Sequence, residues 1–261
     1  MHRARKRFGQ NFLHDQHIIQ RIGNSTGVTA ADHVVEIGPG RGALTEVLLA
    51  TGAKVTAIEL DRDLLPILRT QFFNADNFTV IEGDALRFDF STLATAEKPI
   101  KLVGNLPYNI STPLIFHLLE HRNHIIDMHF MLQKEVVDRL CAEPGTGAYS
   151  KLTVMAQYYC RPAWLFNVPP GAFTPQPKVD SAIIRLVPRP AEELNAKDAR
   201  LLSRLVRTAF SQRRKTIHNN LKNDFDIDLL EKAGIDAGAR PEVISVTDYV
   251  RLSNLIAEAS Q

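Results

Sequence analysis

Glu36, Gly38 and Gly40 fall in the run Glu36-Ile37-Gly38-Pro39-Gly40-Arg41-Gly42, with the β-branched segment HVVEI leading into it and the helical pattern ALTEVLLA following. Glycines at a strand-to-helix turn let the backbone reverse sharply and let a ligand approach it closely, with helix N-terminal amides facing the bound group. The spacing departs from the dinucleotide fingerprint G-x-G-x-x-G, because the third glycine comes one residue early and a proline stiffens the turn. Glu36 would repel a pyrophosphate; it suits a nucleoside cofactor with a positively charged amino-acid end, namely S-adenosylmethionine. A plain tight turn could have the same composition, and two further carboxylates separate the readings. Glu59 ends KVTAIE, where an acid can accept from both ribose hydroxyls, and Asp84 in EGDAL can accept from an adenine amino group.

A second group, Asn105-Leu106-Pro107-Tyr108, ends the segment IKLVGN. Its chemistry fits methyl transfer to a planar exocyclic amine. The lone pair of adenine N6 is delocalised into the ring, so the amine is a poor nucleophile until hydrogen-bond acceptors draw it toward tetrahedral geometry. The Asn105 side-chain carbonyl and a backbone carbonyl of Leu106-Pro107 can accept the two N6 hydrogens, with Tyr108 as an aromatic platform for the base. Proline stiffens the turn and has no amide proton to compete as a donor. No Ser-His-Asp or paired-carboxylate arrangement has a persuasive spacing. His117, His121 and His124 stand at helical spacing beside charged residues and read as a solvated face rather than a metal cluster. No metal site is expected.

These groups need a scaffold that brings strand ends to one edge. HVVEI, KVTAIE, FTVIEG, IKLVGN and DMHFML read as buried strands alternating with ALTEVLLA, LLPILRTQFF and TPLIFHLLEH. That alternation predicts a doubly wound α/β domain, since parallel strands require crossover connections. A helical stretch near Lys134–Cys141, a glycine loop and the helical pattern SKLTVMAQYY follow, with WLFNV and SAIIRLV as further strands around the proline-rich PPGAFTPQPK. Pro188-Arg189-Pro190 is the best linker, which divides the chain into residues 1–189 and a small all-helical domain at 190–261. In the latter, LLSRLVRTAF, DLLEKAG and VTDYVRLSNLIAEA repeat apolar residues at three and four, and Ser245 with Asp248 predicts a capping box.

The motifs KRFGQNFL (6–13), VVEIGPGRGALT (34–45), IELD (58–61), EGDAL (82–86), VGNLPYNISTPLIFHLL (103–119), MLQKEV (131–136) and FTPQPKVDSAIIRLVPR (173–189) together resemble the ribosomal RNA adenine dimethyltransferases. The likeness runs in order through nearly all of the first 190 residues, and SQRRKTIHNNL (211–221) extends it. It implies a Rossmann-like methyltransferase domain that dimethylates N6 of two adjacent adenosines in the hairpin loop near the 3′ end of 16S rRNA, with four S-adenosylmethionines. It further implies that Asn11, Leu13, Gly38, Glu59, Asp84 and Asn105 line the cofactor site and that Tyr108 stacks on a flipped adenine. By the same resemblance Phe173 covers the other face of that base; a hydrophobic plug in the cleft is the alternative. A loop adenine is cheaper to unstack than a paired one.

With 31 Lys+Arg against 29 Asp+Glu, the net charge of +2 is silent about a polyanionic partner. Its distribution is not silent. Arg204, Arg207, Arg213, Arg214, Lys215 and Lys222 occupy a stretch without an acid, and Arg3, Arg5, Lys6 and Arg7 precede the first acid, Asp15. Such clusters suit phosphate contacts, and the polyanion implied by the catalytic motif favours RNA over a merely solvated helix face. The composition is globular, no apolar run reaches a membrane span, and Cys141 and Cys160 show no CxxC spacing, so a cytoplasmic monomer with reduced thiols is expected. Competing readings are an adenine methyltransferase of DNA or of 23S rRNA, a nicotinamide-dependent oxidoreductase, and a non-catalytic assembly factor. NLPYNISTPL with the long helical C-terminus, the early third glycine with Glu36, and the intact Asn105 and Tyr108 argue against them in turn.

Overall fold

The structure, a computed structural model, describes residues 10–95 and 97–260; the basic residues expected at positions 3, 5, 6 and 7 lie outside them. After a two-residue strand β1 (Phe12–Leu13) comes α1 (Gln16–Ser25), started by Asp15, whose Oδ1 accepts from Ile18 N at 3.0 Å. The chain then runs through β2 (His33–Ile37), α2 (Ala43–Leu49), β3 (Lys54–Glu59), α3 (Leu64–Gln71), β4 (Phe78–Glu82), β5 (Ile100–Asn105), α4 (Ser111–Glu120) and β6 (Ile125–Gln133). Helices α5 (Lys134–Leu140) and α6 (Lys151–Tyr159) lead to β7 (Cys160–Val168), β8 (Phe173–Thr174) and β9 (Ser181–Pro188). The remainder is helical: α7 (Ala199–Ala209), α8 (Ile217–Leu221), α9 (Leu229–Lys232) and α10 (Val246–Ala259).

Strands covered on both faces are buried along nearly their whole length, as β2, β3 and β5 are. Among the described residues the main sheet has the order β4-β3-β2-β5-β6-β9-β7. The pairs β2–β3, β2–β5, β3–β4 and β5–β6 are parallel, and β9 runs antiparallel to β6. This is the doubly wound, Rossmann-like sheet expected, extended by β9 and β7. From β2 the chain winds outward to β4 and then returns to β5 on the other side, so the order reverses at the β2/β5 seam. Ile18, Ile19 and Ile22 of α1 and Leu44 and Leu48 of α2 share one buried cluster with Val34, Val55 and Val103. Because side chains alternate along a strand, Glu36 points to the same side as Val34.

Two residues from Val103 on that side, Lys101 lies opposite Asp127. The Asp127 side chain is only 2% exposed, and it meets Lys101 Nζ and Arg185 Nη2, both at 3.2 Å, while His129 Nδ1 lies 3.6 Å away. Lys101 also donates to the carbonyl of Thr26. Burial by itself would raise the Asp127 carboxyl, but the His129 ring and the Lys101 ammonium outweigh it and hold the group below its ordinary value.

The chain forms two compact units: the first runs to Val137 and resumes over Ala163–Pro188, and the second comprises Asp138–Pro162 with the chain from Arg189 onward. A single division at residue 189 therefore assigns α6 to the wrong body. The reason lies in the apolar face of α6, which packs on α7 and α10. In this second unit Asp198 caps α7 by accepting from Arg200 N and Leu201 N, and Ser245 Oγ accepts from Asp248 N at 3.1 Å, the expected cap of α10. His117 and His121 also differ from expectation. They are half-buried, each packed on Phe90 and in contact with one another at a ring separation of 5.0 Å. No helix among the described residues is long and apolar enough to cross a membrane.

Candidate active site

The β2/β5 seam opens into a cavity of about 400 Å3 at the carboxyl ends of the parallel strands, where open α/β sheets bind ligands. Its β2 wall is the glycine turn. Gly38, Gly40 and Gly42 have φ of +66°, +60° and +82°, a left-handed region that favours glycine. A Cβ on Gly40 would also press to 3.2 Å from the Phe12 ring, which would have to shift by a few tenths of an ångström.

The three expected carboxylates line this one space, together with Gly38 and Gly40. Glu36 is 1% exposed and accepts a 2.5 Å hydrogen bond from Thr45 Oγ1 in the first turn of α2. Burial lifts its carboxyl to about 7, with the Thr45 bond pulling downward and the nearby Glu59 adding to the rise. Glu59 ends β3 and is fixed by accepting from Asp61 N at 2.8 Å and Gly40 N at 3.3 Å; burial raises it too, against those bonds. Asp84 follows β4, its Oδ1 accepting from Leu86 N at 3.0 Å in an Asx turn.

Asn105, Leu106, Pro107 and Tyr108 form the β5 wall. Asn105 Nδ2 donates to the carbonyl of Asn11 at 3.1 Å, which holds the side-chain amide by its donor end. Leu106 is anchored through its N–H to the Met131 carbonyl, and Ile110 N–H donates to the Pro107 carbonyl, both at 3.2 Å. Tyr108 is half-buried and its hydroxyl meets Ser181 Oγ at 2.7 Å. Asn11 and Leu13 also border the cavity, on a segment held in place by the antiparallel pairing of β1 with β8.

Phe173 is the expected site residue that the structure does not bring to this space. It is 3% exposed and pairs in register with Leu13, and both belong to the hydrophobic cluster beneath α1. Its ring is held within that cluster, and the adjoining Thr174 is the residue that borders the cavity. Gln10 and Asp61 were not among the expected site residues, yet Gln10 Nε2 donates to Asp61 Oδ2 at 2.9 Å, linking the N-terminal segment to the turn after β3. Both stand inside motifs quoted above, but nothing in their spacing singles them out. Arg204, Arg207, Arg213, Arg214, Lys215 and Lys222 are all exposed, on the second unit. No cluster of three or more metal-binding side chains occurs among the described residues.

A sheet wound this way, with glycines at its seam and carboxylates where a pyrophosphate would be repelled, belongs to the S-adenosylmethionine-dependent methyltransferases. The cavity fits that cofactor: buried negative charge faces the glycine turn, and Glu59 and Asp84 follow it along successive strand ends. The model of the ribosomal RNA adenine dimethylases matches residues 1–258. Ribosomal RNA small subunit methyltransferase A of Hahella chejuensis is 59% identical over 255 residues, covering 98% of this chain and 93% of the relative. The protein of that name from Pseudomonas putida is 56% identical over 260 residues, covering 100% and 97%. Among solved structures, a dimethyladenosine transferase from Plasmodium falciparum superposes with a TM-score of 0.80 at 29% identity, over 92% of this chain and 95% of that one. The 23S rRNA methyltransferase ErmE gives 0.74 at 28%, over 95% and 100%. The chain belongs to the ribosomal RNA adenine dimethylase family and is an S-adenosylmethionine-dependent enzyme acting on ribosomal RNA.

Proposed function

We propose that this enzyme dimethylates N6 of two adjacent adenosines in the hairpin loop near the 3′ end of 16S rRNA, within the small subunit or its precursor, consuming four S-adenosylmethionines. The observation that carries the reading is the pairing of an Asn105 amide, held by its donor end, with Tyr108 in one cavity with Glu36, Glu59 and Asp84. The choice of small-subunit RNA over a 23S site rests on relatives of 56% and 59% identity named for the small subunit, against 28% for ErmE. Incubating unmethylated 30S particles, 50S particles and DNA with labelled S-adenosylmethionine and mapping the modified nucleotides tests it. Label in two adjacent adenines of the 30S hairpin loop is expected; label confined to 50S particles or DNA overturns the assignment.

The cofactor, when bound, supplies an electrophilic methyl group on a sulfonium. Asn105 Oδ1 accepts one N6 hydrogen of the flipped adenine. A backbone carbonyl of Leu106-Pro107 accepts the second; that of Pro107 already accepts one bond, from Ile110 N. Tyr108 stacks on the base, and Glu36 attracts the positive amino-acid end of the cofactor. In that role Glu36 must be ionised. Cofactor affinity is therefore expected to fall as pH drops below about 7, by up to about tenfold per pH unit. Calorimetry across that range checks this. Thr45→Val, which deletes the bond favouring the carboxylate, should shift the fall to higher pH.

The exposed basic residues of the second unit contact rRNA phosphates in this reading. Replacing Arg213, Arg214 and Lys215 together by glutamine is expected to weaken particle binding about 10-fold or more and flatten its salt dependence. S-adenosylmethionine affinity should stay as it is. Filter binding at two salt concentrations provides the measurement, and unchanged particle binding counts against the contact.

A further inference from the structure

Ser181 is wholly buried, yet its hydroxyl serves a residue of the cavity wall, Tyr108, at 2.7 Å and 73 positions away in the chain. Topology explains how it gets there. The parallel strands β5 and β6 present their last residues at the cavity edge. β9 runs antiparallel to β6, with Gln133 opposite Ser181, so at that same edge β9 presents its first residue. The entry into β9 is pinned as well, because the carbonyl of Asp180 accepts from Lys134 N at 2.9 Å. Ser181 Oγ is thus a fixed point on the sheet, and a hydroxyl so buried needs a partner.

We infer that Ser181 is a positioning residue for methyl transfer, its hydroxyl setting where the Tyr108 ring lies and so where the target adenine stacks. This rests on the proposed stacking role of Tyr108. The phenol oxygen lies on the ring's own long axis, so holding it fixes χ1 and the direction of that axis. A phenol O–H also keeps to the ring plane, so its partner biases the ring's tilt, which is otherwise soft because χ2 of tyrosine is broad. Burial raises the phenol above its ordinary value against the Ser181 bond, which keeps it a neutral hydroxyl able to donate. The tie therefore acts on the base-stacking surface and leaves the cofactor carboxylates untouched.

The test is steady-state methylation of unmethylated 30S particles by Ser181→Ala, Ser181→Thr, Tyr108→Phe, Tyr108→Ala and the Ser181→Ala/Tyr108→Phe double variant, with cofactor affinity and melting temperature recorded for each. Ser181→Ala and Tyr108→Phe are each expected to lower kcat about tenfold, since displacements near 1 Å at a reacting centre carry losses of that order or more. Cofactor affinity should stay within about twofold in both. The double variant should be no worse than either single, because both remove one bond. Ser181→Thr, which keeps the hydroxyl, should recover most of the rate; if its added methyl prevents folding, Tyr108→Phe carries the test alone. Full kcat in Ser181→Ala or Tyr108→Phe, or multiplicative losses in the double variant, overturns the inference. An active Tyr108→Ala overturns the stacking reading and the inference with it, whereas an inactive Tyr108→Ala beside fully active Ser181→Ala and Tyr108→Phe removes the inference alone.

Discussion

Replacing Asn105 with alanine is expected to slow methyl transfer by about 10² to 10³, roughly 2.7 to 4 kcal/mol of transition-state stabilisation. The size follows from what the side chain does as N6 becomes nucleophilic. Oδ1 accepts a hydrogen whose acidity rises as N6 gives its lone pair to the methyl carbon and gains positive charge, so the bond is stronger in the transition state than in the ground state, and only such a bond raises the rate. The amide is already aimed, because Nδ2 is engaged by the Asn11 carbonyl at 3.1 Å. Asn105 ends a strand and is half-buried, so its loss should leave the melting temperature near that of the parent. Single-turnover incorporation of labelled methyl groups into unmethylated 30S particles measures the effect. Full dimethylation by Asn105→Ala would refute the acceptor model.

The second large effect concerns folding. Asp127→Ala leaves the Lys101 ammonium, 12% exposed, without its carboxylate. Breaking a buried pair from one side typically destabilises by about 3 to 5 kcal/mol, which in a chain of this size corresponds to a melting temperature lower by roughly 10 °C. Arg185, half exposed, adds little. The pH dependence has a definite sign. A carboxyl held below its ordinary value of 3.8 stabilises the fold fully above that pH, and the contribution disappears as pH falls through the folded value. The stability gap between the parent and Asp127→Asn, followed by thermal melts, should therefore close at acid pH. A constant gap from neutral to strongly acid pH would show that the charge is not what the pair contributes.

Strand identity was legible because parallel strands must be apolar on both faces, and HVVEI, KVTAIE and IKLVGN can be little else. The glycine turn and the acids at strand ends were legible for a related reason: their spacing matches successive strand ends, so local pattern and site coincide. What escaped depends on distant partners. α1 precedes the strand–helix alternation, and its Ile18, Ile19 and Ile22 show their purpose only against Val34, Val55 and Val103 of the sheet. β1 and β8 have two residues each and exist because they pair with each other. Phe173 sits in a proline-framed segment that looks like a binding loop, but its strand position beside Leu13 turns it inward. His117 and His121 read as solvated because Phe90, which half-covers them, is far away in sequence.

The interleaving of the two units bears on how the chain is made. α6 is translated in the middle of the protein, whereas α10, one of the helices that covers it, ends at Ala259, 100 residues beyond Tyr159. At ribosomal speeds of about 5 to 20 residues per second, α6 must wait roughly 5 to 20 s for that partner. During this interval its apolar side is covered first by α7 and only last by α10, while β7 and β9, synthesised next, complete the sheet. Vectorial synthesis thus finishes the methyltransferase sheet before the helical unit, and α6 is the segment a chaperone would meet in between.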